Sequence, residues 1–105
     1  MRKKKNKNKP RLRKTNHTLE EFYLLCSEYN FCCVICGAEF CFSELTRDHI
    51  LPTSKGGCDY IWNIQPACES CNSEKGRLYR DYRPFIPSWV SSKYKSFCKN
   101  NRKLT

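Results

Sequence analysis

No stretch of this sequence approaches the roughly 20 consecutive apolar residues that cross a bilayer, so no membrane helix is expected. The basic start is not followed by the run of about 7–15 apolar residues that marks a secretory signal. The expectation is a soluble, intracellular protein, in the cytoplasm, nucleoid or nucleus. Internal repeats are missing as well. The nine cysteines are an odd number, which excludes complete disulfide pairing within one chain. In a reducing compartment, clustered cysteines read as metal ligands rather than bridges. Acidic residues are absent from the first 14 positions, MRKKKNKNKPRLRK, which hold nine of the 20 Lys and Arg residues. The remaining 91 residues carry 11 basic against 10 acidic groups, so nearly all of the net charge of +10 sits in that segment. Such a run repels itself and buries nothing, and residues 1–17 are expected to be a disordered basic tail. It serves either solubility and localisation or as an arm along nucleic-acid phosphates, where each contact releases counterions.

What is present instead is a cysteine framework. CVIC (Cys33, Cys36) and CESC (Cys68, Cys71) are two C-x-x-C pairs, 31 residues apart. Two intervening residues let a tight turn direct both thiolates at one ion, and zinc takes four sulfur ligands at about 2.3 Å in a tetrahedron. Gly37, directly after the first pair, suits the positive φ of such a knuckle. A structural Zn²⁺ held by these four cysteines is expected. Cys32 competes with Cys33 for register, but only Cys33 yields two matching units. Cys26 falls on a helical apolar face and reads as core, while Cys41, Cys58 and Cys98 have no defensible partner spacing.

Along the chain, Thr18 and Glu21 form a Thr-x-x-Glu capping box. Leu19, Phe22, Tyr23 and Cys26 then recur with helical spacing, predicting a helix that ends near Asn30. ELTRDHIL reads as a strand and PTSKGGCD as a turn. YIWNIQPA is a second extended segment, which Pro66 keeps from being a central strand. SCNSEKGRLYRDY is helix-like although Gly76 weakens it, RPFIP breaks the chain, and SWVSSKYKSFCKN predicts a last helix. Ser88 would cap that helix, with Trp89, Val90, Tyr94 and Phe97 inward. Trp62, Trp89, Tyr94, Phe22 and Phe97 are expected in the core rather than as stacking platforms for bases.

The order strand, loop, strand, helix brings chemistry together. Asp48 and His49 end the first strand, Asn63 lies in the second, and Asn72 and Lys75 share one face of the helix. Carboxylate and amide oxygens are hard ligands suited to Mg²⁺ or Mn²⁺. An imidazole can take a proton from water at neutral pH. A partly exposed divalent ion beside such a base, in a basic protein, points to phosphodiester hydrolysis.

The run RDHILPTSKGG, followed by NIQPACESCNSEK, resembles the HNH endonucleases, in the subgroup with a four-cysteine zinc and Asn at the last signature position. The resemblance covers about Cys33 to Gly76. It implies a small α+β protein whose ββα-metal (His-Me finger) core is stapled by zinc, and metal-dependent cutting of DNA. It further implies that His49 is the general base and that Asp48 and Asn72 hold one catalytic Mg²⁺ or Mn²⁺. Cleavage would leave 5′-phosphate and 3′-hydroxyl ends, and Asn63 would brace the loop behind the His49 strand. Lys75 fits a phosphate contact, and Arg47, Lys55 and Arg77 add others on charge and proximity alone. The implied organisation is a tail over 1–17, a nuclease domain over 18–84 with its N-terminal helix, and a helical extension over 85–105. DNA is the implied partner, with no small-molecule cofactor. The competing reading is a zinc-stapled nucleic-acid-binding module that does not cut.

Overall fold

The computed structural model describes residues 16–103, and their side chains through residue 98. The expectation of a disordered tail falls, up to residue 15, outside the described residues. Ordered packing already includes Asn16 and His17, the latter only 3% exposed.

Helix α1 runs Leu19–Glu28. Its start is the expected capping box: the Thr18 hydroxyl accepts from the Glu21 N–H at 3.0 Å, and the Glu21 carboxylate accepts from the Thr18 N–H at 2.9 Å. Its end is a Schellman motif. Asn30 and Phe31 both take positive φ, 56° and 58°. Their N–H groups reach back to the Ser27 and Cys26 carbonyls at 3.0 and 2.9 Å. The buried stripe differs from the expected one. Phe22, Leu25 and Cys26 are buried, continued by Tyr29, whereas Leu19 and Tyr23 are exposed. The 100° step of a helix lets several neighbouring stripes fit a short apolar segment, and only the position of the sheet selects among them.

The sheet is a single antiparallel pair, β1 (Leu45–His49) and β2 (Ile64–Cys68). Its register places Thr46 opposite Ala67, Asp48 opposite Gln65 and His49 opposite Ile64. Side chains alternate across a strand. Leu45, Arg47 and His49 therefore face one side with α1, and Thr46 and Asp48 face the other. Helix α2 (Glu69–Lys75) covers that second side. The helix is shorter than its sequence predicts. At Gly76 the chain takes φ 56° and ψ −125°, which no helix continues. The following segment is held by side-chain bonds instead, with the Tyr29 hydroxyl donating to the Phe85 carbonyl at 2.8 Å.

Helix α3 (Ser88–Lys103) closes the larger core of Phe22, Leu25, Cys26, Tyr29, Leu45, Ile61, Ile64 and Val90. It is tied to α1 by Trp89 Nε1 donating to Glu28 at 3.0 Å and by Lys93 on Glu21 at 2.8 Å. Of its expected inward residues, Val90 is fully buried and Trp89 packs against the core, whereas Tyr94 is exposed. Tyr94 and Phe97 lie in a ring cluster with Tyr60 and Trp62, centroids 4.6–5.5 Å apart. A second, much smaller core holds only Cys33, Ala67 and Cys68 as buried members.

Between the strands, the loop closes tightly. Asn63 accepts from the Leu51 N–H at 2.9 Å and donates to the Leu51 and Cys58 carbonyls at 3.0 and 2.8 Å. One side chain thereby joins both ends of the loop. Gly57 sits within this closure, and a Cβ there would overlap the Leu51 carbonyl oxygen. Gly57→Ala is expected to lower stability by about 1–3 kcal/mol or more, the cost of overpacking a closed site. Urea unfolding measures this; an unchanged midpoint would mean that the loop is looser than these contacts.

Candidate active site

Two knuckles build a candidate metal centre. In the first, Gly37 at φ 81° turns the chain so that its N–H meets the Cys33 carbonyl at 2.8 Å. The Ile35 and Cys36 N–H groups point at the Cys33 sulfur, each at 3.4 Å. In the second, Cys68 ends β2 and Cys71 lies on the first turn of α2. All four sulfurs lie within 4.8 Å of one another. A zinc-sulfur tetrahedron has edges of about 3.8 Å, so the donor set fits one ion. Cys32 is not part of it and donates to the Asn30 carbonyl instead.

The electrostatics match a cation. Burial works against the Cys33 thiolate, but N–H groups of Cys36, Cys68 and Ile35 outweigh it and bring the pKa to about 7. Cys71 is pushed up to about 12, first by desolvation and then by the three neighbouring cysteines. Four thiolates at one point repel each other unless a metal compensates them.

On the α2 side of the sheet, Asp48 is 3% exposed. Its Oδ2 accepts from Gln65 Nε2 at 2.8 Å and lies 3.2 Å from Lys75 Nζ. Asn72 lies one helical turn from Lys75, and its Nδ2 donates to Thr46 Oγ1 at 2.7 Å. Asp48 and Thr46 on the strand thus meet Lys75 and Asn72 on the helix. The lysine expected to touch phosphate is turned inward here: its side chain is 1% exposed, and Nζ also donates to the His49 carbonyl at 3.1 Å. A buried carboxylate without a counter-charge is costly, which is the physical reason for the pairing.

His49 belongs to the other face. It makes no hydrogen bond to Asp48; its Nε2 meets Asp59 Oδ1 at 2.7 Å, and its side chain is 28% exposed. Burial works against the Asp59 charge, but hydrogen bonds from His49 and the Asn16 N–H, with the nearby His17, hold its carboxyl below the usual carboxylate range. Arg47 donates from Nε to His17 Nε2 at 2.9 Å, its guanidinium 4.5 Å from the Phe22 ring centroid. Lys55 and Arg77 are exposed.

Four partners escape sequence reasoning: Gln65, Thr46, Asp59 and His17. Gln65 is fully buried and saturated, donating to Asp48 and the Arg80 carbonyl and accepting from the Tyr82 N–H. Its only trace in the sequence is a polar residue inside an otherwise apolar strand.

A two-stranded hairpin and a helix stapled by a four-cysteine centre, with Asp and His at the end of the first strand, define a ββα-metal domain. Residues 33–82 match the family model described as HNH endonuclease, and this segment belongs to that family. Among curated proteins, none matches the chain. No helix among the described residues is long and apolar enough to cross a membrane.

Proposed function

We propose that the protein hydrolyses DNA phosphodiester bonds, nicking or cleaving the strand, with His49 as general base and one Mg²⁺ or Mn²⁺ held by Asp48 and Asn72. One observation carries the reading: Asp48 on the α2 side and the partly exposed His49 imidazole on the other lie at the same strand end, with Asn72 of α2 reaching Thr46 on the same strand, within a segment that matches a nuclease family. Asp48 Oδ2 is committed to Gln65 and Lys75, so Oδ1 is the oxygen offered to a cation. Asn72 spends its nitrogen on Thr46 and offers its carbonyl oxygen. Held there, the divalent ion would supply charge neutralisation at the scissile phosphate and its leaving group. His49 takes a proton from water as the water oxygen bonds phosphorus. The bond from phosphorus to the 3′ oxygen breaks, and that oxygen, leaving as an alkoxide, takes a proton from solvent, so the new ends are 5′-phosphate and 3′-hydroxyl. Asn63 braces the loop behind His49. The four cysteines hold a structural Zn²⁺ that keeps α2 against β1. Lys55 and Arg77, both exposed, and the basic N-terminal segment supply phosphate contacts, which give affinity without sequence preference.

The reading in which the domain binds nucleic acid without cutting draws on one feature: Lys75 already neutralises Asp48. Conversion of supercoiled plasmid to the nicked form separates the two. Nicking is expected with Mg²⁺ or Mn²⁺ and is expected to stop when only those ions are withdrawn from zinc-loaded protein. DNA retention without nicking under several divalent ions would establish the binding-only module.

A further inference from the structure

We propose that Asp59 is the positioning residue for His49, itself clasped by Asn16 and His17, so that the active site draws on residues outside the family-matched segment. The inference rests on His49 acting as the base. An ionised carboxylate can only accept hydrogen bonds. The 2.7 Å contact between Asp59 Oδ1 and His49 Nε2 therefore puts the imidazole proton on Nε2 and leaves Nδ1 as the atom with a lone pair for water. A ring bonded at one nitrogen is also held in orientation, the role a carboxylate plays behind catalytic and metal-bound histidines generally.

Asp59 is itself pinned on two sides. Its other carboxylate oxygen accepts from the Asn16 N–H at 3.1 Å. Its carbonyl meets His17 Nδ1 at 2.7 Å. The Arg47 Nε–H donates to His17 Nε2 at 2.9 Å, so Nε2 holds the lone pair and Nδ1 the proton given to Asp59. The tautomers of the two histidines thus follow from one chain of donors and acceptors: Arg47, His17, Asp59, His49. Arg47 and His49 are alternate residues on one face of β1, and His17 and Asp59 close the bridge between them. His17 is buried, unlike an incidental surface contact. Asn16 and His17 lie directly after the strongly basic segment and before residues 33–82, so the bridge joins the N-terminal part of the chain to the base.

The experiment compares zinc-loaded wild type, Asp59→Ala, His17→Ala and His49→Ala. Plasmid nicking at varied DNA concentration separates kcat from KM. Long-range ¹H–¹⁵N NMR of the two histidines reads the tautomers directly, and zinc content and melting report the fold. Asp59→Ala is expected to lower kcat by about 10–100-fold, as loss of such an orienting partner does, with KM changed by less than about threefold. The His49 signal is expected to go from a single Nε2–H form to an averaged one. His17→Ala should move kcat and the His49 signal in the same direction. Because His17 is buried, that variant counts only if it melts cooperatively with zinc bound; Asp59→Ala, at a partly exposed residue, carries the test otherwise. An unchanged His49 tautomer in Asp59→Ala, or full kcat there while His49→Ala is inactive, would overturn the proposal. Full activity in His49→Ala would instead sink the assignment of the base, with the NMR comparison still deciding whether Asp59 sets the ring.

Discussion

Replacing His49 with alanine is expected to reduce plasmid nicking by about 10²–10⁴-fold, the usual worth of a positioned general base, while zinc content and thermal unfolding stay near those of the wild type. The second half of this expectation makes the first informative. The His49 side chain is partly exposed and lies outside both hydrophobic clusters, and Asp59 is its only ion-pair partner among the described residues. Removing it leaves no large cavity and no buried charge. Asp48 offers no such clean test. Its loss would strand the Lys75 ammonium, whose side chain is 1% exposed, and an uncompensated buried charge costs about 3–5 kcal/mol. An inactive Asp48→Ala protein would thus confound lost chemistry with lost structure. Equal nicking by wild type and His49→Ala, both purified free of contaminating nuclease, would remove His49 from the mechanism.

The second large effect concerns the four-cysteine cluster, proposed to hold zinc. Cys68→Ser, or removal of the metal by a strong chelator, is expected to unfold the half of the molecule that carries α2. Helix α2 has seven residues, and Lys75 is its one buried residue. Isolated helices shorter than about 12–15 residues are marginal in water, so α2 does not form from its own propensity. The apolar cluster beside it has three buried members, two of them metal-centre cysteines. A structural zinc contributes about 10–16 kcal/mol at neutral pH, as large as the whole stability of a typical domain, about 5–15 kcal/mol. Far-UV circular dichroism should show lost helix and a broadened or missing melting transition, and native mass spectrometry should show the loss of one zinc. Acidification should have the same consequence, because protons compete with the ion for the thiolates. Cys41→Ser, at an exposed cysteine outside the cluster, is the control expected to melt as the wild type. A Cys68→Ser protein that keeps its zinc and its transition would show that the fold does not depend on this centre.

Both effects separate what is local from what is not. The two C-x-x-C units, the Thr18–Glu21 box, the turn at Gly37 and the two strands were legible because each signal lies within a few residues and rests on backbone geometry that the same residues impose. The choice of Cys33 over Cys32 was legible for the same reason, since the knuckle is a four-residue object. Helix α2 is shorter than the sequence predicts because the residues beyond Gly76 still favour helix, and the backbone turn there overrides that preference. The expected stripe of α1 shares Phe22 and Cys26 with the buried one but misses Leu25 and Tyr29, because the apolar residues of a short helix allow neighbouring faces.

Polar partners were the least legible. Lys75 looks like a surface cation in sequence, yet its ammonium lies against a buried carboxylate 27 positions earlier. Gln65 acquires its meaning from the register that sets it opposite Asp48, and Asp59 and His17 from a loop and a helix entry that meet at one face of β1. By itself, the order of residues determined the metal knuckles, the caps and turns, and the class of domain, since these depend on spacing along the chain. Only the tertiary structure decided which charged groups are buried, and which partner each one has. A charge is tolerated inside a protein only when a distant part of the chain supplies its counterpart, and distance along the chain carries no record of proximity in space.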